Sequence, residues 1–123
     1  MVMVRSAIAK KVVATVIVAT DGSGDYTDIQ DGIDALPSGG GVVYIKEGTY
    51  DIDTTITIPN SNISVIGAGH STIIQTSGNI DVISTTSESN LVIEDIFING
   101  AGTGNASNNG INFDGISDST IEG

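Results

Sequence analysis

The stretch that decides the fold is SNISVIG at residues 61–67, because it recurs twice at a spacing of 28 residues. The copies read SNLVIED at residues 89–95 and SDSTIEG at residues 117–123. A repeat of this length, made of short apolar runs and polar corners, is typical of one turn of a solenoid. Stacked turns bring equivalent positions over one another at strand spacing, about 4.8 Å. The repeat therefore predicts a stack of β coils.

Two rows of stacked side chains follow from this register. The interior row is predicted to contain Val65, Ile93 and Ile121. The corner row is predicted to contain Asn62, Asn90 and Asp118, since such side chains can hydrogen-bond the backbone at a bend. A β-sandwich with coincidental repeats is the alternative interpretation.

The remainder of the chain favours strands over helices. The sequence is rich in Ile, Val and Thr, and it has no Trp. From residue 42 onward short alternating runs follow one another without an intervening helix. The predicted strands are Val42–Lys46, Thr49–Ile52, Thr54–Pro59, Ile63–Gly67, Thr72–Thr76, Ile80–Ser84, Leu91–Asn99, Ile111–Ile116 and a last one from Thr120. We expect one all-β domain over residues 1–123, with about three coils in residues 42–123.

One short helix is predicted over residues 26–37, before the first coil. Thr27 and Gln30 have the spacing of a capping box. The apolar stripe of this helix comprises Ile29, Ile33 and Leu36. Pro37 and the glycines after it end the helix. The stripe could cover the open interior of the first coil.

The leading segment, residues 1–20, allows two interpretations. Its apolar run Val12–Ala19 follows Arg5, Lys10 and Lys11, as in a signal peptide. The run is also short and rich in β-branched residues, which favours a leading strand. We prefer the strand, and the alternative stays open at this point.

Charge narrows the classes of partner. The formal net charge is −11, with four Lys and Arg residues in total. Such a surface repels phosphate backbones and anionic lipids, so we expect neither a nucleic-acid partner nor a membrane partner. The chain has no Cys, so disulfide usage does not indicate a redox compartment.

The sequence resembles the N-terminal part of pectin methylesterases and other pectin-lyase-like proteins, including β-helices of the phage tailspike type. The resemblance rests on VIVATDGSGDYTDIQ at residues 16–30, GVVYIKEGTY at residues 41–50, and ISVIGAG at residues 63–69 followed by STII at residues 71–74. It extends over about residues 16–123. It implies a right-handed parallel β-helix with a short N-terminal capping helix. The fold is therefore better supported by the sequence than the function or the site residues.

The same resemblance implies little chemistry for these residues. Pectin methylesterases use a carboxylate pair, glutamines and an arginine, and their first glutamine lies in a motif similar to NNGINF at residues 108–113. Asn109 falls where that glutamine would be, one methylene shorter. The other catalytic elements would follow residue 123. We therefore predict no catalytic residue in this chain, and whether the protein is an enzyme stays open.

Binding residues are predicted at two places. The polar tract at residues 100–110 indicates a loop that could bind carbohydrate, with Asn105, Asn108, Asn109, Asn112 and Asp114 as the candidates. Polysaccharide lyases of this fold hold calcium with stacked carboxylates, and Glu94, Asp95 and Glu122 are weak candidates for such a site. A solvated outer face is the alternative explanation of these carboxylates, so no cofactor is predicted beyond this possible calcium ion.

Two functions are consistent with these patterns. The preferred one is a structural or carbohydrate-binding β-helix module of a spike, adhesin or surface protein, self-associating as a homotrimer or another homo-oligomer. The alternative is the N-terminal part of a polysaccharide-modifying enzyme whose catalytic coils lie beyond residue 123. Either function predicts an extracellular location or one on a virion or cell surface.

Overall fold

Parallel strand pairing organises the chain, as seen in a computed structural model that describes residues 14–100, 110–115 and 119–122. The elements are β1 (Thr15–Val18), α1 (Ile29–Asp34), β2 (Gly41–Ile45), β3 (Gly48–Asp51), β4 (Ile56–Thr57), β5 (Ile63–Gln75), β6 (Ile83–Thr86), β7 (Val92–Asn99), β8 (Ile111–Asp114) and β9 (Thr120–Glu122). Every pairing between these strands is parallel. This confirms the predicted β-solenoid.

The strands form two sheets that share one interior. The first sheet has the order β1-β2-β5-β7-β9, and β3 also pairs with β5. The second sheet has the order β4-β6-β8. Because side chains alternate along each strand, one apolar face of each sheet is turned inward and one face is left outside. The inward faces build a single aliphatic core of Ile, Val and Leu side chains.

The predicted interior row is present. Val65 pairs with Ile93, and Ile93 pairs with Ile121. The row continues in the other direction to Val43, which pairs with Val65 although only 22 residues separate them. Val43, Val65 and Ile93 are at most 2 % exposed, whereas Ile121 on the last described strand is 54 % exposed.

Two buried threonines are part of this interior without leaving a polar group unpaired. The Thr72 hydroxyl donates to the carbonyl of Ile45 at 3.0 Å and accepts the amide N–H of Ala68 at 2.8 Å. The Thr85 hydroxyl donates to the carbonyl of Ile58 at 2.8 Å. The bonds to Ile45 and Ile58 each connect one coil to the preceding coil, whereas the bond from Ala68 lies within β5.

The helix is shorter than predicted and its cap is different. α1 covers Ile29–Asp34, and its N-cap is Asp28, whose carboxylate accepts the amide N–H of Asp31 at 3.2 Å. The predicted capping box of Thr27 and Gln30 is therefore wrong. The N-cap lies one residue later than predicted, at Asp28 instead of Thr27, and an Asp is as good a cap as a Thr.

The apolar stripe of the helix is placed as predicted. Ile29, Ile33 and Leu36 are 3, 1 and 7 % exposed and belong to the core. Leu36 lies just beyond the helix, after the C-cap Ala35. The helix packs on β1, β2 and β4, so it covers the interior beside the first coil.

The leading run is a strand where the structure describes it. β1 pairs in parallel with β2, from Thr15 opposite Val42 to Val18 opposite Ile45. Val18 is fully buried in the core. Among the described residues, no helix has the length and apolar character that crossing a membrane requires.

Several strand boundaries differ from the prediction. The two strands predicted at residues 63–67 and 72–76 are one strand of 13 residues, β5. Its pairing with β7 shifts register on both sides of Gly69, which has a φ of 84°. A Cβ at Gly67 would stand 2.3 Å from the carbonyl oxygen of Asp95, so the close approach of the two strands requires glycine there. β4, β6 and β8 are also shorter or displaced relative to the predicted strands.

Candidate functional site

The corner asparagines form a ladder between coils. Asn62 and Asn90 have φ values of 64° and 54°, in the left-handed region that Asn tolerates better than most residues. The Asn90 side-chain amide donates to the Asn62 side-chain oxygen at 3.0 Å. The backbone N–H of Asn62 also donates to the carbonyl of Ser89 at 3.0 Å. This row is structural, and its predicted third member, Asp118, lies outside the described residues.

The calcium candidates lie on the outside of the first sheet. Glu94 pairs in register with Glu122 on the neighbouring strand, and Asp95 follows at a φ of 58°. Glu94 is half-buried, and the other two are exposed. Over residues 14–100, 110–115 and 119–122, no group of three or more His, Asp or Glu side chains is arranged to hold a metal ion. The calcium site stays a prediction.

The outer face of the second sheet is the candidate site for polysaccharide. Thr57 pairs with Ser84, and Ser84 pairs with Asn112. Thr86 pairs with Asp114, and both of their side chains are exposed. Successive strands thus present hydroxyl and carboxylate groups in columns with the strand spacing of about 4.8 Å. Such groups can donate and accept hydrogen bonds with the hydroxyls of a sugar chain.

The predicted carbohydrate-binding residues are placed only in part. Asn112 lies on β8, where its backbone is in register with that of Ser84 on β6. Asp114 is exposed at the end of β8, where its carbonyl accepts the N–H of Ser87 at 2.8 Å. The remaining candidates, Asn105, Asn108 and Asn109, lie outside the described residues.

The helix fixes one edge of this outer face. Gln30 pairs with the backbone of Thr57 on β4, donating to its carbonyl at 2.9 Å and accepting its N–H at 2.8 Å. β4 is the outermost strand of the second sheet, and the Gln30 side chain pairs with its free backbone groups as a neighbouring strand would. The sequence pointed to Gln30 as part of a cap, and the structure gives it this positioning role instead.

The acidic turn after β1 is also structural. The Asp21 carboxylate accepts the hydroxyl and the N–H of Ser23 at 2.6 and 2.9 Å, and these bonds lower its pKa below the usual value. Asp25 accepts the N–H of Ile17 at 2.9 Å. Lys46 donates to the Ser23 hydroxyl at 2.9 Å, which adds a positive charge near Asp21. The carboxylates of this turn are therefore engaged in hydrogen bonds that hold the turn and β1 in place.

The sole His of the chain is remote from the second sheet. His70 lies at the bend of β5, and its ring centroid is 5.9 Å from that of Phe97 on β7. The outer face of the second sheet therefore offers hydrogen-bonding groups but no imidazole base.

Parallel strands stacked in register around one aliphatic core, with a short helix beside the first coil, define a pectin-lyase-like β-helix. The sequence profile of the pectinesterase family matches residues 15–107. That match covers more than half of the chain, so the chain belongs to the pectinesterase family.

Individual relatives agree with this assignment. Probable pectinesterase/pectinesterase inhibitor 13 of Arabidopsis thaliana is 35 % identical over 77 residues, which cover 60 % of this chain and 12 % of that protein. Probable pectinesterase 56 of Arabidopsis thaliana is 32 % identical over 87 residues, which cover 67 % of this chain and 30 % of that protein. The chain thus spans less than a third of either relative's length.

Two solved structures resemble the fold. Pectin methylesterase from carrot superposes with a TM-score of 0.72 at 28 % identity, over 87 % of this chain and 37 % of that chain. A protein of Geobacillus virus E2 superposes with a TM-score of 0.70 at 26 % identity, over 95 % of this chain and 26 % of that chain. Both similarities extend over most of the described coils.

Proposed function

We propose that this chain forms the capped N-terminal coils of a polysaccharide-modifying enzyme of the pectinesterase type. The observation that carries the proposal is the family match over residues 15–107, which includes the capping helix and strands β1 to β7. In this proposal the described coils bind and orient the polysaccharide, and hydrolysis of its methyl esters uses residues on coils that follow. The preferred sequence-based function, a structural or carbohydrate-binding module, is correspondingly less well supported than its alternative.

The outer face of the second sheet is the proposed start of the substrate path. Asn109, at the position of a catalytic glutamine in pectin methylesterases, would offer the same amide on a shorter side chain. Asn112 and Asp114 would add hydrogen bonds to sugar hydroxyls on the same face. Asn105 and Asn108 belong to the same proposal. An enzyme acting on an extracellular polymer would itself be extracellular or surface-bound.

A chimera tests whether these coils are functionally equivalent to those of an active enzyme. Residues 15–99 of this chain replace the corresponding coils of carrot pectin methylesterase, and methanol release from methyl-esterified pectin is measured. We expect release within about tenfold of the carrot enzyme, because the coils set the position of the catalytic face. We expect no release from the 123-residue chain alone.

The matched control is the same chimera with Ile93→Asp. This change places an unpaired carboxylate at a side chain that is 2 % exposed, so it should prevent cooperative folding and abolish release. A chimera without this change that folds cooperatively, as judged by circular dichroism, and yet releases no methanol would contradict the proposal.

A structural or carbohydrate-binding module is the second candidate. It is favoured by the viral protein, which superposes over a larger share of this chain than the carrot enzyme does. This function predicts self-association, with a homotrimer as the first expectation. Sedimentation equilibrium of the chain would detect a trimer, and a concentration-independent monomer would argue against this candidate.

A further inference from the structure

A second outward-facing surface lies on the first sheet, where β3, β5 and β7 run side by side. Two columns of side chains cross these strands in register. One column comprises Thr49, Ile73 and Phe97, and the other comprises Asp51, Gln75 and Asn99. Their neighbours Tyr50 and Ile74 point inward and are buried, so the columns face outward. We call this surface the β3–β5–β7 face.

An aromatic platform occupies one side of this face. Phe97 is 43 % exposed, and it lies on β7 beyond residues 92–94, the part of this strand that pairs with β9. The imidazole of His70 lies beside it at 5.9 Å between centroids and a tilt of 39°. A flat, exposed aromatic surface is well suited to pack against the C–H face of a pyranose ring.

A polar groove adjoins the platform. It has a volume of about 620 Å³ and is lined by Asp51, Asp53, Gln75, Thr76, Ser77 and Asn99. The Gln75 amide donates to the Asp51 carboxylate at 2.5 Å, which holds both side chains in place. Asn99 lies two residues beyond Phe97 on the same face, roughly 7 Å along the strand. Amides, hydroxyls and carboxylates at this distance from an aromatic ring can hydrogen-bond the hydroxyls of a sugar stacked on it.

The charge of the groove lining favours uncharged sugar chains over negatively charged ones. Among the described residues, the groove lining includes two carboxylates, Asp51 and Asp53, and no cationic side chain. The chain as a whole has a net charge of −11. A free uronate chain would be repelled, whereas an uncharged chain would still find acceptors and donors.

We propose that the β3–β5–β7 face binds an uncharged pyranose chain. Phe97 and His70 form the stacking platform, and Asp51, Gln75 and Asn99 hydrogen-bond the hydroxyls. This site is on the first sheet, whereas the proposed substrate path is on the second. It would keep the protein on esterified or neutral polymer and release it from polymer that has lost its esters.

Isothermal titration calorimetry of the chain tests the site with three oligosaccharides: methyl-esterified galacturonan, neutral galactan and de-esterified galacturonan. We expect binding of one or both uncharged oligosaccharides and at least about tenfold weaker binding of the de-esterified one. Phe97→Ala should weaken binding of the uncharged ligand by about tenfold or more. Asp53→Asn should raise the affinity for de-esterified galacturonan and leave that for the uncharged ligand within about threefold.

Tyr44→Ala is the matched control. Tyr44 is an aromatic residue on the same sheet with a similar exposure of 37 %, but it lies on β2 away from the groove. Its replacement should leave the affinity unchanged. No binding of either uncharged ligand, equal binding of the de-esterified one, or equal effects of Tyr44→Ala and Phe97→Ala would each overturn the proposal. Because this readout is binding and the chimera's is methanol release, failure of one leaves the other intact.

Discussion

The Tyr50 hydroxyl joins three backbone segments of the first coil. Its side chain is 5 % exposed, and the hydroxyl donates to the carbonyl of Lys46 at 2.9 Å. It accepts the N–H of Thr20 at 3.2 Å, which ties the turn after β1 to β3. Burial raises the pKa of the Tyr50 phenol above 10.0, and the Thr20 N–H opposes this effect. The nearby carboxylates of Asp21 and Glu47 raise the pKa further.

This pKa shift predicts a loss of stability in alkali. A phenol with a raised pKa in the folded state contributes stability that is fully present below the unfolded-state pKa of 10.0 and is lost as pH rises through the folded-state pKa. The urea midpoint should therefore fall between about pH 9 and pH 11, and the fall should be smaller in Tyr50→Phe. At about pH 8, Tyr50→Phe should itself be less stable by about 1 kcal/mol, because its hydrogen bonds are lost. Tyr44→Phe is the control, and equal alkaline losses in both variants and the parent would show that Tyr50 is not the group responsible.

At the scale of elements, the helix cap gives the sharpest test. Asp28→Ala removes the carboxylate that accepts the N–H of Asp31, and it should lower the free energy of unfolding by about 1 kcal/mol. Thr27→Ala removes a hydroxyl outside the helix and should change that energy by less than about 0.5 kcal/mol. Urea denaturation of the two variants measures the difference. A larger loss for Thr27→Ala would mean that the helix begins where the capping-box pattern placed it.

The elements that the sequence predicted well are those whose positions depend on the burial of apolar side chains. The elements that it predicted poorly depend on which of two neighbouring residues takes the same local role. The stripe Ile29, Ile33 and Leu36 follows from periodicity, because only one face of a helix can reach the core. The choice between Thr27 and Asp28 as cap depends on a shift of one residue, which periodicity does not resolve. Likewise the repeat predicted correctly that Val65 and Ile93 pair on neighbouring strands, since the apolar residues of β5 and β7 recur at the period of the repeat at these positions.

The β3–β5–β7 face was missed because its spacing differs from the repeat. Asn62 and Asn90 are 28 residues apart, whereas Gln75 and Asn99, which pair on the same two strands, are 24 apart. The difference arises at the bend of β5 around Gly69, where the register with β7 shifts. A search at one fixed period aligns residues on one side of that bend and misaligns those on the other. The candidate carbohydrate-binding residues were predicted from the polar tract at residues 100–110, and three of them lie outside the described residues.

At the scale of the whole molecule, stability is a sum over neighbouring coils. Each strand of a solenoid contacts only the strands before and after it, so the burial of a side chain depends on the presence of both neighbours. The interior row shows this directly. Ile93 has Val65 on one side and Ile121 on the other and is 2 % exposed, while Ile121 is 54 % exposed.

The two isoleucines of this row give a matched pair of substitutions. Ile93→Ala should lower the free energy of unfolding by about 2–5 kcal/mol, because it removes buried methyl groups and leaves a cavity. Ile121→Ala should cost about 1 kcal/mol or less if the side chain stays half exposed in solution. Urea denaturation at several protein concentrations measures both. Equal losses would mean that something covers Ile121, and if the loss at Ile121 also grows with concentration, the cover is a second copy of this chain.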